Sequence, residues 1–243
     1  MNNKEKMTEE SRLILADQHH LRKTAAFFDV DGTLVNSTIV HYYVRLRSLL
    51  LPALLRPFWM AGFACRVVYY FFLDKVSRTH FNRVFYRNYR GMNAQKTKQL
   101  AREEFGALFG AKLFPAALER IHEHRKRGEL VVLATGSLDF IIQPLSDYLQ
   151  SDYALTVQLH EEDGRFTGEL TTPPLGGEEK GRATKSFAEQ HGIDLASSYA
   201  YGDSRADLPM LRCVGHPVVV NPGKTLRRIA VESGWEIQEW ACG

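Results

Sequence analysis

Cysteine is scarce in this chain. Cys65, Cys213 and Cys242 are the only three, far apart and odd in number. They form neither a metal-ligand spacing nor a disulfide framework, and a reducing, cytoplasmic compartment fits. Long apolar runs are missing too. The uncharged stretches Ser48–Leu55, Pro57–Cys65 and Val67–Leu73 fall short of the ~18–20 residues that cross a bilayer. Arg56 and Arg66 interrupt them, and Pro52 and Pro57 are expected to break any helix there. The N-terminus, MNNKEKMTEESRL, has no apolar centre for a signal peptide. Residues 1–20 are read as a frayed arm or a loosely docked helix. Repeats and low-complexity segments are absent. So is a large net charge: the total of +3 argues against a dedicated nucleic-acid binder.

Acidic residues are missing locally, and this absence carries information. None occurs between Gly32 and Leu73. From Ile39 to Met92 there are eight Arg and one Lys against one Asp, a net of +8, which leaves −5 for the remainder. The same stretch holds 13 of the 27 aromatic residues. Such asymmetry implies that this part of the molecule meets something anionic.

What is present reads as strands alternating with helices. Thr24 to Val30 (TAAFFDV), Glu129 to Ala134 (ELVVLA), Ser198 to Tyr201 (SYAY) and Pro217 to Val220 (PVVV) are short apolar runs ending in turns, hence buried strands. Ala116 to Arg127 and Gly181 to His191 are amphipathic and stop at Gly128 and Gly192, as helices do. The alternation implies an α/β fold with a parallel sheet. Val157 to Leu170, with Asp163-Gly164 inside it, is expected to be a hairpin on the sheet edge. Residues 39–112 break the alternation and read as a helical insert.

Four short pieces fall at the ends of the expected strands, the edge where open α/β sheets bind ligands. In Asp29-Val30-Asp31-Gly32-Thr33-Leu34, two carboxylates one residue apart can share a pocket. One can attack phosphorus while the other handles protons. Alone, the letters also fit a calcium loop or an acidic turn. Thr135-Gly136-Ser137 offers a hydroxyl and N–H groups for a phosphate oxygen, or a plain N-cap. Lys180, after Gly176-Gly177, can neutralise both a carboxylate and a phosphate, with Lys185 as the competing candidate. Gly202-Asp203-Ser204-Arg205-Ala206-Asp207 brings two more carboxylates. Mg²⁺ takes one or two carboxylates plus water and substrate oxygens. Asp29, Asp203 and the carbonyl of Asp31 can supply that sphere, with Asp207 one turn on, orienting a water or a loop N–H.

In order and spacing these pieces resemble the haloacid dehalogenase superfamily, whose signature is Asp-x-Asp-x-Thr, then Thr or Ser, then Lys, then Gly-Asp-x-x-x-Asp. The match covers about residues 24–34 and 113–237. The resemblance implies a doubly wound, Rossmann-like core over residues 21–38 and 113–243, with a helical cap of the C1 class over residues 39–112. Pro217 to Pro222, Leu226-Arg227 and Gly234-Trp235 are similar to the branch of phosphoserine phosphatases. By resemblance, Asp29 is the nucleophile of a Mg²⁺-dependent phosphatase and Asp31 its general acid/base. Thr135, Gly136 and Lys180 bind phosphate, Asp29, Asp31 and Asp203 hold the metal, and Asp207 supports them from behind. Asp rather than Thr at position 31 favours a phosphatase over an ATPase. The alternatives are a phosphotransferase using the same intermediate and a non-catalytic membrane adaptor.

One departure bears on the substrate. Phosphoserine phosphatases carry a glutamate nine positions after the nucleophile, and this chain has Thr38 there. The insert offers Arg45, Arg56 and Trp59 among other aromatics, which suits an anionic head on an apolar body. That character resembles the caps of superfamily members acting on phospholipid phosphates. The expected partner is therefore a phosphorylated small molecule or lipid. Arg83, Arg87 and Arg90, spaced for one helical face, can touch an anionic membrane peripherally; the alternative is an insert whose aromatics pack on one another and on the core, with its arginines on solvated faces.

Overall fold

The computed structural model describes residues 23–241 of the chain. The arm expected over residues 1–20 lies outside the described residues, as does Cys242. The first strand, β1 (Ala25–Phe28), is buried at every residue. An apolar run with no polar face belongs in the middle of a parallel sheet, and β1 sits there. The helical insert follows: α1 (Ile39–Leu50), a 3₁₀ turn at Ala53–Leu55, α2 (Arg56–Val76), α3 (Arg78–Tyr86), α4 (Ala94–Glu103) and α5 (Phe105–Leu108). The chain returns through α6 (Pro115–Lys126) to β2 (Leu130–Leu138), α7 (Asp139–Leu149), β3 (Tyr153–Val157) and the hairpin β4 (Leu159–Glu162) and β5 (Arg165–Leu170). It closes with α8 (Glu178–His191), β6 (Tyr199–Gly202), α9 (Leu208–Leu211), β7 (His216–Val220), α10 (Lys224–Ser233) and β8 (Glu236–Gln238).

Six strands form one sheet in the order β3-β2-β1-β6-β7-β8, every neighbouring pair parallel. Successive β1 side chains alternate between its faces. Phe27 packs with Phe187 and Leu211 on one side, and Phe28 with Tyr201 and His124 on the other. The chain leaves β1 for β2 on one side and returns to β6 on the other, so a crevice opens at the strand ends next to β1.

The structure departs from the sequence reading in four places. β2 does not stop at Ala134; it runs through Thr135-Gly136-Ser137 to Leu138, with a register shift against β3 after Ala134. The β4–β5 hairpin turns at Asp163 (φ 48°) and Gly164 (φ 70°), as expected, but forms its own two-stranded sheet rather than an edge of the main one. Its outer hydrogen bonds go to the insert instead, with Gly91 N donating to Phe166 O at 2.8 Å and Ala94 N to Gly164 O at 2.9 Å. Pro57 does not break a helix but begins one. It occupies the first turn of α2, where its missing N–H has no partner to lose. Arg83 is helical, but α3 ends at Tyr86, so Arg87 and Arg90 fall in and just after a 3₁₀ turn.

The two links between sheet and insert run side by side. Asn36 N donates to Lys112 O at 2.8 Å and Phe114 N to Leu34 O at 3.0 Å. Within the insert, the Tyr43 ring contacts Trp59, Phe63, Phe85 and Tyr89 at centroid distances of 5.0–6.0 Å. Tyr42, Tyr43, Phe63, Tyr70, Phe81, Phe85, Tyr86 and Tyr89 are all buried, so most of the aromatic excess is ordinary core.

Candidate active site

Asp29 follows β1, tied by its N–H to Tyr201 O of β6 at 3.0 Å. The chain then curls tightly: Val30 O accepts from the N–H groups of Thr33, Leu34 and Val35 at 3.3, 2.9 and 3.0 Å. Gly32 makes the curl, with φ +95°, and passes so close to Asp203 that a Cβ would sit 2.3 Å from Oδ2. Only glycine serves both needs.

The four sequence pieces converge here. Lys180, in the first turn of α8 and 3% exposed, donates to Asp29 Oδ1 and to Asp207 Oδ1, each at 2.6 Å. Asp207 Oδ2 accepts from Ser204 N at 3.0 Å and Ser204 Oγ at 2.8 Å, closing a capping box. Thr33 Oγ1 lies 3.3 Å from Asp29 Oδ2 and 3.4 Å from Asp203 Oδ1. Asp31 Oδ2 accepts from Ser137 Oγ at 2.6 Å and from Thr135 Oγ1 at 3.4 Å. Its Oδ1 is buried without a hydrogen bond, as is the hydroxyl of Tyr42.

Electrostatics follow from crowding acids in a dry place. Burial, then repulsion from Asp207, pushes Asp29 up to about 7 against the pull of Lys180. Burial raises Asp31 as well, opposed by Ser137, by the nearby Tyr42 hydroxyl, and by Arg78 and Lys180. Burial and the charges of Asp207 and Asp29 lift Asp203 well above the carboxylate range. Asp207 alone goes down: burial opposes its charge, but Lys180 and Ser204 overcome it. Burial also opposes the charge on Lys180, and Asp207 and Asp29 outweigh it.

A metal fits this donor set. Oxygens of Asp29, Asp203 and Asp207 lie within 4.8 Å of one another. Both Asp207 oxygens are already taken by Lys180 and Ser204. Among the described residues Asp203 has one long hydrogen-bond contact, from Thr33 at 3.4 Å. A divalent cation between Asp29 and Asp203 would relieve the repulsion that lifts Asp203.

Three residues expected to face substrate are elsewhere. Arg45 pairs with Glu104 at 2.6 Å on the surface, Arg56 Nε donates to Leu51 O at 3.2 Å, and Trp59 stacks on Phe63 at 5.1 Å. The insert reaches the cavity instead through Ile39 at the start of α1 and through α3. Arg78 and Asn82 line it beside Asp29, Asp31 and Lys180. Thr79 Oγ1 donates to Gly176 O at 2.9 Å, and the Tyr86 hydroxyl to Gly136 O at 2.5 Å. Burial opposes the charge on Arg78, but Asp74 and the site carboxylates more than restore it. The sequence signal was polar residues at 78, 82 and 86, one face of a helix. The enclosed space is about 30 Å³, room for about two waters.

A family model for haloacid dehalogenase-like hydrolases matches residues 26–212. The chain belongs to that family. It is 32% identical over 239 residues to the "inhibition of morphological differentiation protein" of Streptomyces azureus, spanning 92% of this chain and 81% of that one. It is 31% identical over 228 residues to phosphoserine phosphatase SerB1 of Mycobacterium tuberculosis, spanning 89% and 70%. The fold is shared with a Bordetella pertussis Tohama I protein of unknown function (TM-score 0.78, 21% identity, 89% and 98% covered). It is also shared with a substrate-bound phosphoserine phosphatase (TM-score 0.67, 20% identity, 91% and 94% covered). This chain is an enzyme of the phosphatase class in that family, in the phosphoserine phosphatase-like branch.

Proposed function

We propose that this chain hydrolyses phosphate monoesters by way of an aspartyl-phosphate on Asp29. The observation that carries the reading is the Asp29–Lys180–Asp207 ion triad, which holds a carboxylate oxygen toward the cavity while the raised Asp31 stands two residues away. An Asp29 carboxylate oxygen attacks phosphorus as the ester P–O bond breaks. Asp31, as the carboxylic acid, gives its proton to the leaving oxygen, which departs as an alcohol. Asp31, now a carboxylate, takes a proton from water. The hydroxide attacks phosphorus, the Asp29–phosphorus bond breaks, and inorganic phosphate leaves with both residues restored.

Lys180 offsets the charge of the phosphoryl group and favours the ionised form of Asp29 against the burial that raises it. Thr135, Gly136 and Thr33 supply donors toward phosphate oxygens. Mg²⁺ is the cofactor that fits; Asp29, Asp203 and the backbone carbonyl of Asp31 would hold it, with Asp207 fixing Lys180 and the loop behind. When bound, it polarises the phosphoryl group and neutralises its charge. Residues 39–112 act as the cap and residues 21–38 and 113–243 as the core. The cavity at the site holds only about 30 Å³, so α3 lifts to admit substrate and returns to exclude water.

The substrate carries no ammonium at the place phosphoserine would put one. Thr38 lines the cavity there and meets His41 at 3.2 Å, while Arg78 adds a cation. The reading is tested by Mg²⁺-dependent phosphate release from phosphoserine, an aryl phosphate, sugar phosphates, lysophosphatidate and phosphatidylglycerophosphate. Asp29→Asn should abolish turnover and the acid-stable, hydroxylamine-sensitive phosphoryl group. Asn keeps an oxygen for Lys180 and removes one of three crowded charges, so stability should hold or rise. Substantial residual hydrolysis by Asp29→Asn would sink the assignment.

A further inference from the structure

A long surface helix ordinarily buries one apolar stripe and turns polar residues outward. Helix α2 does not. Among its 21 residues only Phe63 and Tyr70 are buried. Its outward side is apolar as well: Phe58 is 75% exposed, Val68 59%, Tyr69 54%, Phe72 62% and Val76 84%. At about 3.6 residues per turn, Phe58, Cys65 and Phe72 fall on one line opposite Phe63 and Tyr70. The line runs for about 21 Å from Phe58 to Phe72, and exposed Leu54 and Leu55 continue it into the preceding turn. Apolar surface this continuous marks a contact.

The charges beside it choose the partner. By the same helical geometry, exposed Arg66 and Lys75 lie on opposite flanks of the line. No acidic residue occurs between Gly32 and Leu73, and Asp74 is held by Arg78 at 2.9 Å. A second copy of the chain would bring the same positive flanks, so charge opposes pairing through this face. No helix among the described residues is long and apolar enough to cross a membrane. A basic-flanked apolar line fits one environment, the headgroup boundary of an anionic bilayer.

We propose that α2 and the turn before it dock this enzyme on an anionic lipid surface. This replaces the Arg83, Arg87 and Arg90 cluster as the contact; Arg87 is engaged with Glu169 at 3.4 Å. Docking also sets the site relative to the bilayer. Beyond α2 the chain passes through Ser77 into α3, whose Arg78 lines the catalytic cavity. A second hollow, lined by Asp74, Lys75, Arg78 and Ser204 among others, adjoins the cavity at this end of α2. The proposal concerns location and holds whatever the phosphate ester is.

The test is co-sedimentation of the full chain with vesicles of phosphatidylcholine alone and of an equimolar mixture with phosphatidylglycerol. The wild type should pellet with the mixed vesicles and stay in solution with the neutral ones. Replacing Phe58→Ser and Phe72→Ser together should weaken binding by about tenfold or more for each side chain. Arg66→Glu with Lys75→Glu should remove the preference for anionic vesicles. Hydrolysis of a soluble aryl phosphate should stay unchanged in both variants, showing that they fold and that location and catalysis are separate. Failure of the wild type to pellet overturns the proposal. So does light scattering that finds a dimer which Phe58→Ser and Phe72→Ser break apart.

Discussion

Removing the Lys180 charge is the sharpest perturbation of this site. In Lys180→Met the side chain keeps its length and loses its cation, leaving Asp29 and Asp207 buried without their shared partner at 2.6 Å. Two unit charges no more than 4.8 Å apart, at an effective dielectric of about 20, repel by about 3.5 kcal/mol or more. That agrees with the roughly 3–5 kcal/mol lost when one partner of a buried pair is removed. The loss should be largest near neutral and mildly alkaline pH. Asp29 already sits at about 7 with Lys180 present, and removing the lysine raises it further. A carboxyl whose folded pKa lies above its unfolded value binds more protons folded than unfolded. The variant therefore regains stability as pH falls from above the folded pKa toward the unfolded one. Urea unfolding of both proteins, with a chelator so that no divalent ion replaces the lost charge, should show a deficit of about 3–5 kcal/mol at about pH 8 that shrinks by about pH 5. Adding Asp207→Asn should restore part of it. Equal stability of the two proteins at about pH 8, or a deficit unchanged with pH, would refute the electrostatic account.

Other outcomes follow from single contacts. Gly32→Ala places a Cβ 2.3 Å from Asp203 Oδ2 at φ +95°; it should lower stability by about 1–2 kcal/mol from backbone strain alone and weaken Mg²⁺ binding, read by calorimetry. Ser137→Ala removes the 2.6 Å bond that favours the Asp31 carboxylate. The acid form of Asp31 then persists to higher pH, so the alkaline limb of kcat/KM should move up, and a downward move would contradict the acid role. Tyr86→Phe deletes the hydroxyl that bonds Gly136 O at 2.5 Å. It should reduce stability by about 1–2 kcal/mol and increase hydrogen exchange in α3, where the insert meets the sheet.

What could be read in the chain beforehand was local. Asp29, Asp31, Lys180 and Asp203 stood out because each sits at a strand end or helix start that its neighbours encode. The insert was readable as helical because nothing in it alternates like a strand. Two misreadings were local, since Pro57 starts a helix and α3 ends at Tyr86; the others needed a distant partner. β2 runs past Ala134 because β3 pairs with Leu138. The β4–β5 hairpin leaves the sheet because the insert supplies its outer hydrogen bonds. Arg45 stays away from the cavity because Glu104, far along the chain, holds it.

The sequence by itself determined the chemistry, because the order of acids and lysine along strand ends is a covalent property and the parallel sheet follows from local patterning. Only the tertiary structure decided which insert residues meet the site and which meet solvent. Arg78 and Asn82 line the cavity because α3 is tied to its rim by the Thr79–Gly176 and Tyr86–Gly136 hydrogen bonds. Phe58 and Phe72 are left outside because Phe63 and Tyr70 already fill the single stripe of α2 that the core can cover. Helical patterning marks apolar faces, but burial depends on packing between elements, and α2 carries more apolar surface than its neighbours can bury.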